Sequence, residues 1–342
     1  VHRLARAVAA GASVQHTIGV WDFAGIKELM VWPGQLCPRP ETEELALLAS
    51  AVLRLAGARP ALSPEALLAQ ALIQQHVGCV FDAVSMPSPA FAAAVAEAEG
   101  LSMPAATSAA AGPRGRAPAL LDLGTGTGAI VLAAVKGAPG SFGVGLDLTD
   151  CTVRAARSNA VAQGLDADTC MVCFDAGGDW SGAVGGALAA GAKGGQEPEL
   201  RVVTANPPYL PPAAMASAAE HVTRSERERC LAGGGGDGLT EPLRWVAAVA
   251  RAAGCVPRGA LLGVELDPTQ PRVLWRACRS GAEAEAGAAT AAASSALLAG
   301  APGRSLRWIT AVRDHAGRDR FAWLCVQDDD GAAGAQAEPG PA

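Results

Sequence analysis

The chain has 342 residues, half of them hydrophobic, with a net charge of −6 and only 4% aromatics. That length supports one large domain or two small ones with a sizeable core. The acidic balance argues against a protein built to wrap nucleic acid, since neutralising phosphates takes clustered Lys and Arg. No apolar run reaches the ~20 residues of a membrane span, and nine scattered cysteines fit reduced thiols better than a disulfide scaffold.

In chain order, HRLARAVAAGASVQH (2–16) reads as the tail of an Arg- and Ala-rich transit peptide or as the end of a helix. Residues 17–36 predict a β-hairpin with Gly25 near its turn. PRPETEELALLASAVLRLA then opens a helix, with Thr42 as N-cap and Leu45, Leu48, Val52 and Leu55 on one face. Residues 57–117 are rich in Ala, Pro and Ser and read as an insertion. PEALLAQALIQQHV within them fits the helical period, and they end in the loop-like SAAAGPRGRAP.

From residue 118 the pattern alternates. ALLDL, SFGVGLDL, TCMVCFD, LRVVTA and GALLGVEL are apolar strand-like runs, and most of the segments between them have helical character. A Gly/Ala tract at about 176–198 reads as a loop insertion, and a second covers about 281–303. LRWITAVRD and DRFAWLCVQ, joined by HAGR, predict a final hairpin that adds an antiparallel strand at the sheet edge, before a polar tail from Asp328. The fold class is therefore α/β, a mostly parallel Rossmann-like sheet with helices on both faces, preceded by the N-terminal hairpin. In CMVC, Cys170 and Cys173 lack a nearby pair to complete four zinc ligands. They are expected to be buried thiols, and no metal is expected.

Ligands of open α/β sheets bind at the carboxyl ends of strands. Two motifs fall there. The first is DLGTGTG (122–128), where Gly124, Gly126 and Gly128, with Thr125 and Thr127 between them, bring backbone close to a ligand at a helix N-terminus. Ala129 stands where a dinucleotide fingerprint needs glycine. Asp147 ends the next strand, placed to accept both hydroxyls of a ribose. A ribose-bearing ligand without a phosphate fits, and S-adenosylmethionine is such a ligand. Asp175, at the end of the third strand, is a candidate acceptor for the adenine amino group.

The second motif is NPPY. An amide or a conjugated amino nitrogen attacks carbon poorly because its lone pair is delocalised. Accepting hydrogen bonds from its N–H groups pushes density back to nitrogen. The Asn206 side-chain oxygen and the Pro207 carbonyl are acceptors, while Pro207 and Pro208 supply no competing N–H. Tyr209 offers a flat face for a planar amide or base.

These motifs, DLGTGTGAI, the Asp147 strand and NPPYL, resemble those of amino-type class I methyltransferases. CPRPETEELA (37–46), LAGGGGDGL (231–239) and AGRDRF (316–321) narrow the resemblance to the HemK/PrmC-type release-factor glutamine methyltransferases. VWDFAG and VELDPTQP look more like the organellar branch. The resemblance covers roughly 17–327. It implies transfer of a methyl group from S-adenosylmethionine to the glutamine of the Gly-Gly-Gln loop in a class 1 peptide chain release factor. It implies no stable nucleic-acid partner and no membrane, and a home in the mitochondrion or plastid. By that resemblance Asn206, Pro207, Pro208 and Tyr209 hold the glutamine amide. Gly124, Gly126, Asp147 and Asn206 meet the cofactor, and Glu41 and Glu43 lie near the substrate side.

Two departures stand out. The family's helical domain usually precedes the hairpin, where only about sixteen residues stand here, and the usual aromatic-Glu-Pro stretch appears as Ser225-Glu226-Arg227. The implied division is 1–36 for an N-terminal remnant and hairpin, 37–117 for a linking helix and insertion, 118–327 for the methyltransferase domain and 328–342 for a disordered tail. Two other readings share the motifs. One is an adenine N6-methyltransferase on DNA or RNA, which should show a basic face where the arginines at 224, 227, 229, 313, 318 and 320 read as solvated surface. The other is a non-catalytic subunit of the same fold.

Overall fold

A computed structural model describes residues 2–75, 80–100, 116–175, 180–217, 222, 225–252, 255–279 and 304–328. Most of the loop at 108–118, the tract at 281–303 and the tail beyond Asp328 lie outside the described residues.

The segment before the hairpin contributes two helices, His2–Ala9 and Val14–Ile18, the second capped by the Ser13 hydroxyl and reaching into the first two residues of the stretch expected to be hairpin. Strands β1 (Val20–Phe23) and β2 (Ile26–Met30) pair antiparallel around Gly25. The hairpin is fastened to the rest by Asn159. That side chain accepts from the Met30 N–H at 2.8 Å and donates to the carbonyls of Met30 and Thr127.

The next helix runs Pro40–Ala58, with Leu45, Leu48, Val52 and Leu55 buried as their spacing requires. Its N-cap is Arg39, not Thr42. Pro40 takes the first helical position, where its missing N–H costs nothing. Thr42 is thereby drawn into the first turn and buried, free for another task.

The stretch read as an insertion is structural. Helices Pro64–Gln75 and Pro89–Gly100 pack against each other, and Leu67, Leu68, Leu72, Phe91 and Val95 join the core under the Pro40–Ala58 helix. Between them β3 (Val84–Ser85) pairs with the C-terminal hairpin. The other strands are β4 (Pro118–Leu123), β5 (Phe142–Asp147), β6 (Thr169–Cys173), β7 (Glu199–Ala205), β8 (Leu261–Glu265), β9 (Arg304–Arg313) and β10 (Asp319–Asp328).

These eight form one sheet, ordered β3-β9-β10-β8-β7-β4-β5-β6. The five strands from β8 to β6 are mutually parallel, and beyond them each neighbour pairs antiparallel, β10 with β8, β9 with β10 and β3 with β9. The expected Rossmann-like architecture is thus present, with three differences. The final hairpin is not the edge, because β3 covers β9. β10 continues through Asp328, which the sequence pattern placed in the tail. The Gly/Ala tract at 176–198 contains a helix, Trp180–Ala190. Its buried residues Trp180, Val184, Ala187 and Leu188 fall on one helical face, packed with Phe142 and Leu121.

Candidate active site

In the sheet β4 lies between β5 and β7, so the chain turns one way from β4 to β5 and the other way from β7 to β8. That reversal opens a crevice beyond the carboxyl ends of β4 and β7. A cavity of about 370 Å³ occupies it, within the range of small-molecule sites. Gly124, Gly126, Asp147, Asp175, Asn206 and Pro208 all line it, together with Leu148, Phe174 and Trp245.

The glycine loop is shaped by contact as well as by ligand space. A Cβ on Gly124 (φ +63°) would stand 2.3 Å from the Trp245 ring, so only glycine fits there. A Cβ on Gly126 would meet nothing nearer than 3.8 Å, which leaves that side open to the cavity. Thr125, Thr127 and Gly128 do not line it. Both threonines are buried in the fold, and Gly128 is the N-cap of the Ala129–Gly137 helix.

Asp147 sits at the end of β5. Its Oδ2 accepts from the Gly126 N–H at 3.1 Å, and its Oδ1 accepts from the N–H and hydroxyl of Thr149. Burial pushes its carboxyl up, and those hydrogen bonds with Arg229 nearby pull it back. Oδ2 keeps an acceptor site for a ligand hydroxyl. Asp175 lies two residues beyond β6, which stops at Cys173, and forms an ion pair with Arg244 at 2.8 Å. Cys173 is exposed rather than buried, Cys170 is half-buried, and both are free thiols. Among the described residues no group of His, Cys, Asp and Glu could hold a metal ion.

The NPPY loop leaves β7. Asn206 Nδ2 donates to Thr42 Oγ1 at 3.2 Å. That bond engages one N–H of the amide nitrogen and orients the group, and among the described residues no donor reaches Oδ1 or the Pro207 carbonyl. Pro207 is buried, while Pro208 faces the cavity. Tyr209 is half-buried, and its hydroxyl donates to Glu265 Oε1 at 3.0 Å. Thr42 and Glu265 were not singled out as site residues in the sequence, although both stand in the quoted PETE and VELDPTQ blocks. Asp122 was missed as well. It is wholly buried, its Oδ1 accepts from the Thr204 hydroxyl at 2.8 Å, and burial pushes its carboxyl up to about 7.

The loop after NPPY is clasped to the N-terminal segment. Arg39 Nη2 donates to both oxygens of Glu226 at 2.8 Å, and the Glu226 side chain is 1% exposed. Glu226 Oε1 also accepts from the Cys37 N–H, and the Gly34 N–H donates to the Ser225 carbonyl. Glu41 pairs with Arg318 and Glu44 with His315, so the PRPETE block meets the AGRDRF turn. Arg313 and Arg318 pair with Asp319 and Asp314, and Arg320, only 8% exposed, donates to the Leu266 carbonyl. Arg320 is therefore internal, not the solvated surface its sequence context suggested.

Over 153 residues, 45% of its length, the chain is 38% identical to a protein of Rhodospirillum rubrum named release factor glutamine methyltransferase. Over that stretch the chain is similar to a protein that carries the name release factor glutamine methyltransferase. A protein of the same name in Deinococcus radiodurans is 36% identical over 151 residues, 44% of this chain. The matched stretches span 41% and 46% of those two relatives, less than half of either. No protein-family model matches. Among solved structures, TrmN from Thermus thermophilus is similar at a TM-score of 0.33 and 18% identity, over 61% of this chain and 44% of that one. So slight a likeness says nothing of the reaction.

Proposed function

We propose that the protein is an S-adenosylmethionine-dependent methyltransferase that methylates the side-chain nitrogen of the glutamine in the Gly-Gly-Gln loop of a class 1 peptide chain release factor. The observation that carries this reading is the hydrogen bond from Asn206 to Thr42 beside the Asp147 cavity. With its nitrogen engaged, the Asn206 amide presents an acceptor. With Pro207 and Pro208 next to it, no backbone N–H competes.

The residues present fit the cofactor. Asp147 retains an acceptor site for a ribose hydroxyl, Gly126 opens to the cavity, and Leu148, Phe174 and Trp245 offer apolar surface for a base. Asp175, shared with Arg244, is the acceptor assigned to the adenine amino group. When bound, S-adenosylmethionine supplies an electrophilic methyl group on a sulfonium. Asn206 Oδ1 and the Pro207 carbonyl accept from the glutamine N–H groups, which raises the electron density on nitrogen. Tyr209 provides the face against which the planar amide lies, and holding nitrogen in line supplies much of the remaining rate. As the nitrogen gains the methyl group, the sulfur–methyl bond would break to leave a neutral thioether, and the proton lost from nitrogen would pass to solvent.

The release factor and the Gly-Gly-Gln glutamine come to this chain from the names of its relatives and from the PRPETE and GGGGDG blocks. A mitochondrial or plastid home is proposed on VWDFAG and VELDPTQP. Adenine poses the same chemical problem; of the six arginines named for a basic face, Arg313, Arg318 and Arg320 are engaged by partners within the chain, Arg229 lines the cavity, and residue 224 lies outside the described residues. Among the described residues no helix is long and apolar enough to cross a membrane.

A labelled methyl donor offered with an organellar release factor and with duplex DNA tests the proposal. Label on the release factor is expected, and label on adenine would replace this reading with the nucleic-acid enzyme.

A further inference from the structure

Tyr209 is the single tyrosine of the chain, and it is held at both ends. Its hydroxyl donates to Glu265 Oε1 at 3.0 Å. Its carbonyl accepts from Gln270 Nε2 at 2.9 Å, and the same nitrogen donates to the Asp237 carbonyl at 2.9 Å. Gln270 is itself oriented, because its Oε1 accepts from the Asp267 N–H at 3.1 Å.

The sheet dictates this meeting. Ala205 of β7 is in parallel register with Val264 of β8, which puts Glu265 level with Asn206 at the carboxyl edge. Close packing completes it, since a Cβ on Gly238 (φ +74°) would stand 2.2 Å from the Tyr209 carbonyl oxygen.

Glu265 and Gln270 are each 1% exposed. Burying a carboxylate and an amide is unfavourable unless their hydrogen bonds are made. The Tyr209 hydroxyl meets Oε1, and the Thr42 side chain also favours the Glu265 charge against the cost of burial. Apolar residues would pack such a site more cheaply, so these two polar groups call for a role.

We infer that Glu265 and Gln270 are positioning residues that fix the ring and main chain of Tyr209 and so hold the face on which the substrate amide lies. The inference rests on the methyl-transfer reading above. Glu265 acts on the hydroxyl and Gln270 on the backbone, and neither need touch the substrate. The charged groups acting on Tyr209 are Glu265, Arg320 and Arg39, and burial with the Glu265 charge pushes its phenol well up from the usual tyrosine range.

A single tyrosine makes the test clean. Protein labelled with ¹³C at the tyrosine ring carbon bearing oxygen gives one resonance. It should show no titration near pH ~10, the ordinary tyrosine value. Glu265→Gln keeps an acceptor and removes the charge, so it should lower the titration midpoint and retain more turnover than Glu265→Leu. Glu265→Leu and Tyr209→Phe should each lower kcat about tenfold or more with the cofactor KM within about twofold. The double variant should be no worse than the poorer single one, as expected of residues acting through one bond. Multiplying losses, or a wild-type tyrosine that titrates normally, would overturn the inference. The resonance arm needs no substrate, so it separates the two failures. An anchored Tyr209 in a chain that methylates no release factor would sink the assigned reaction and leave the anchoring of Tyr209 by Glu265 and Gln270 standing.

Discussion

Thr42 and Asn206, 164 positions apart, are joined by a hydrogen bond of 3.2 Å. The first turn of one helix thereby sets which end of the Asn206 amide faces the cavity. Thr42→Val should remove that orientation and leave the Asn206 amide nitrogen without its partner. The expected loss is about tenfold in kcat, in line with one hydrogen bond at ~1–1.5 kcal/mol. Thr42→Ser should restore most of it. Steady-state kinetics beside a thermal melt distinguishes this from unfolding.

Asp147 braces the glycine loop through Gly126 and keeps an acceptor for the ligand. Asp147→Asn should weaken binding of S-adenosylmethionine by roughly 10-fold or more, the worth of a charge-assisted hydrogen bond. Isothermal titration measures it directly. Unchanged affinity would remove Asp147 from the binding site.

The Arg39–Glu226 clasp joins the N-terminal segment to the loop beyond NPPY. Breaking a buried pair from one side is costly because the other charge stays buried. Arg39 is 31% exposed, however, and solvent will meet part of the cost. Arg39→Ala is expected to lower stability by about 2 kcal/mol, read by chemical denaturation. Glu226→Gln, which leaves no buried anion, should cost less.

Asp122 makes stability depend on pH. Burial raises its carboxyl from 3.8 to about 7. The folded protein therefore holds a proton that the unfolded chain has released, so its stabilising contribution is full below 3.8 and is lost as pH rises through about 7. Asp122→Asn should match wild type near pH ~4 and exceed it above pH ~8, by at most ~4 kcal/mol for a shift of that size. Denaturation midpoints across this range test the sign.

Much of this site was legible because glycines, prolines and a strand-terminal aspartate punctuate the sequence at fixed offsets. Gly124, Gly126, Asp147 and Asn206 were found that way, and the structure gathers them on one cavity. Thr42 was misread because Ser and Thr before an apolar run usually cap a helix, while Pro40 had already taken the first position. Glu265 and Gln270 escaped because their roles depend on the register of β7 with β8, which no local pattern states. The Trp180–Ala190 helix was hidden by glycines, although Trp180, Val184 and Leu188 kept its period. β3 is two residues long, and pairing alone defines it.

The central claim is that Asn206 presents an acceptor to a glutamine amide. The most direct measurement is mass spectrometry of a release factor after incubation with the protein and S-adenosylmethionine, wild type beside Asn206→Ala. The account predicts one added methyl group on the Gly-Gly-Gln glutamine with wild type and its loss with the variant, cofactor binding being retained. An unmodified glutamine with wild-type protein that binds the cofactor, or full modification by Asn206→Ala, would contradict it.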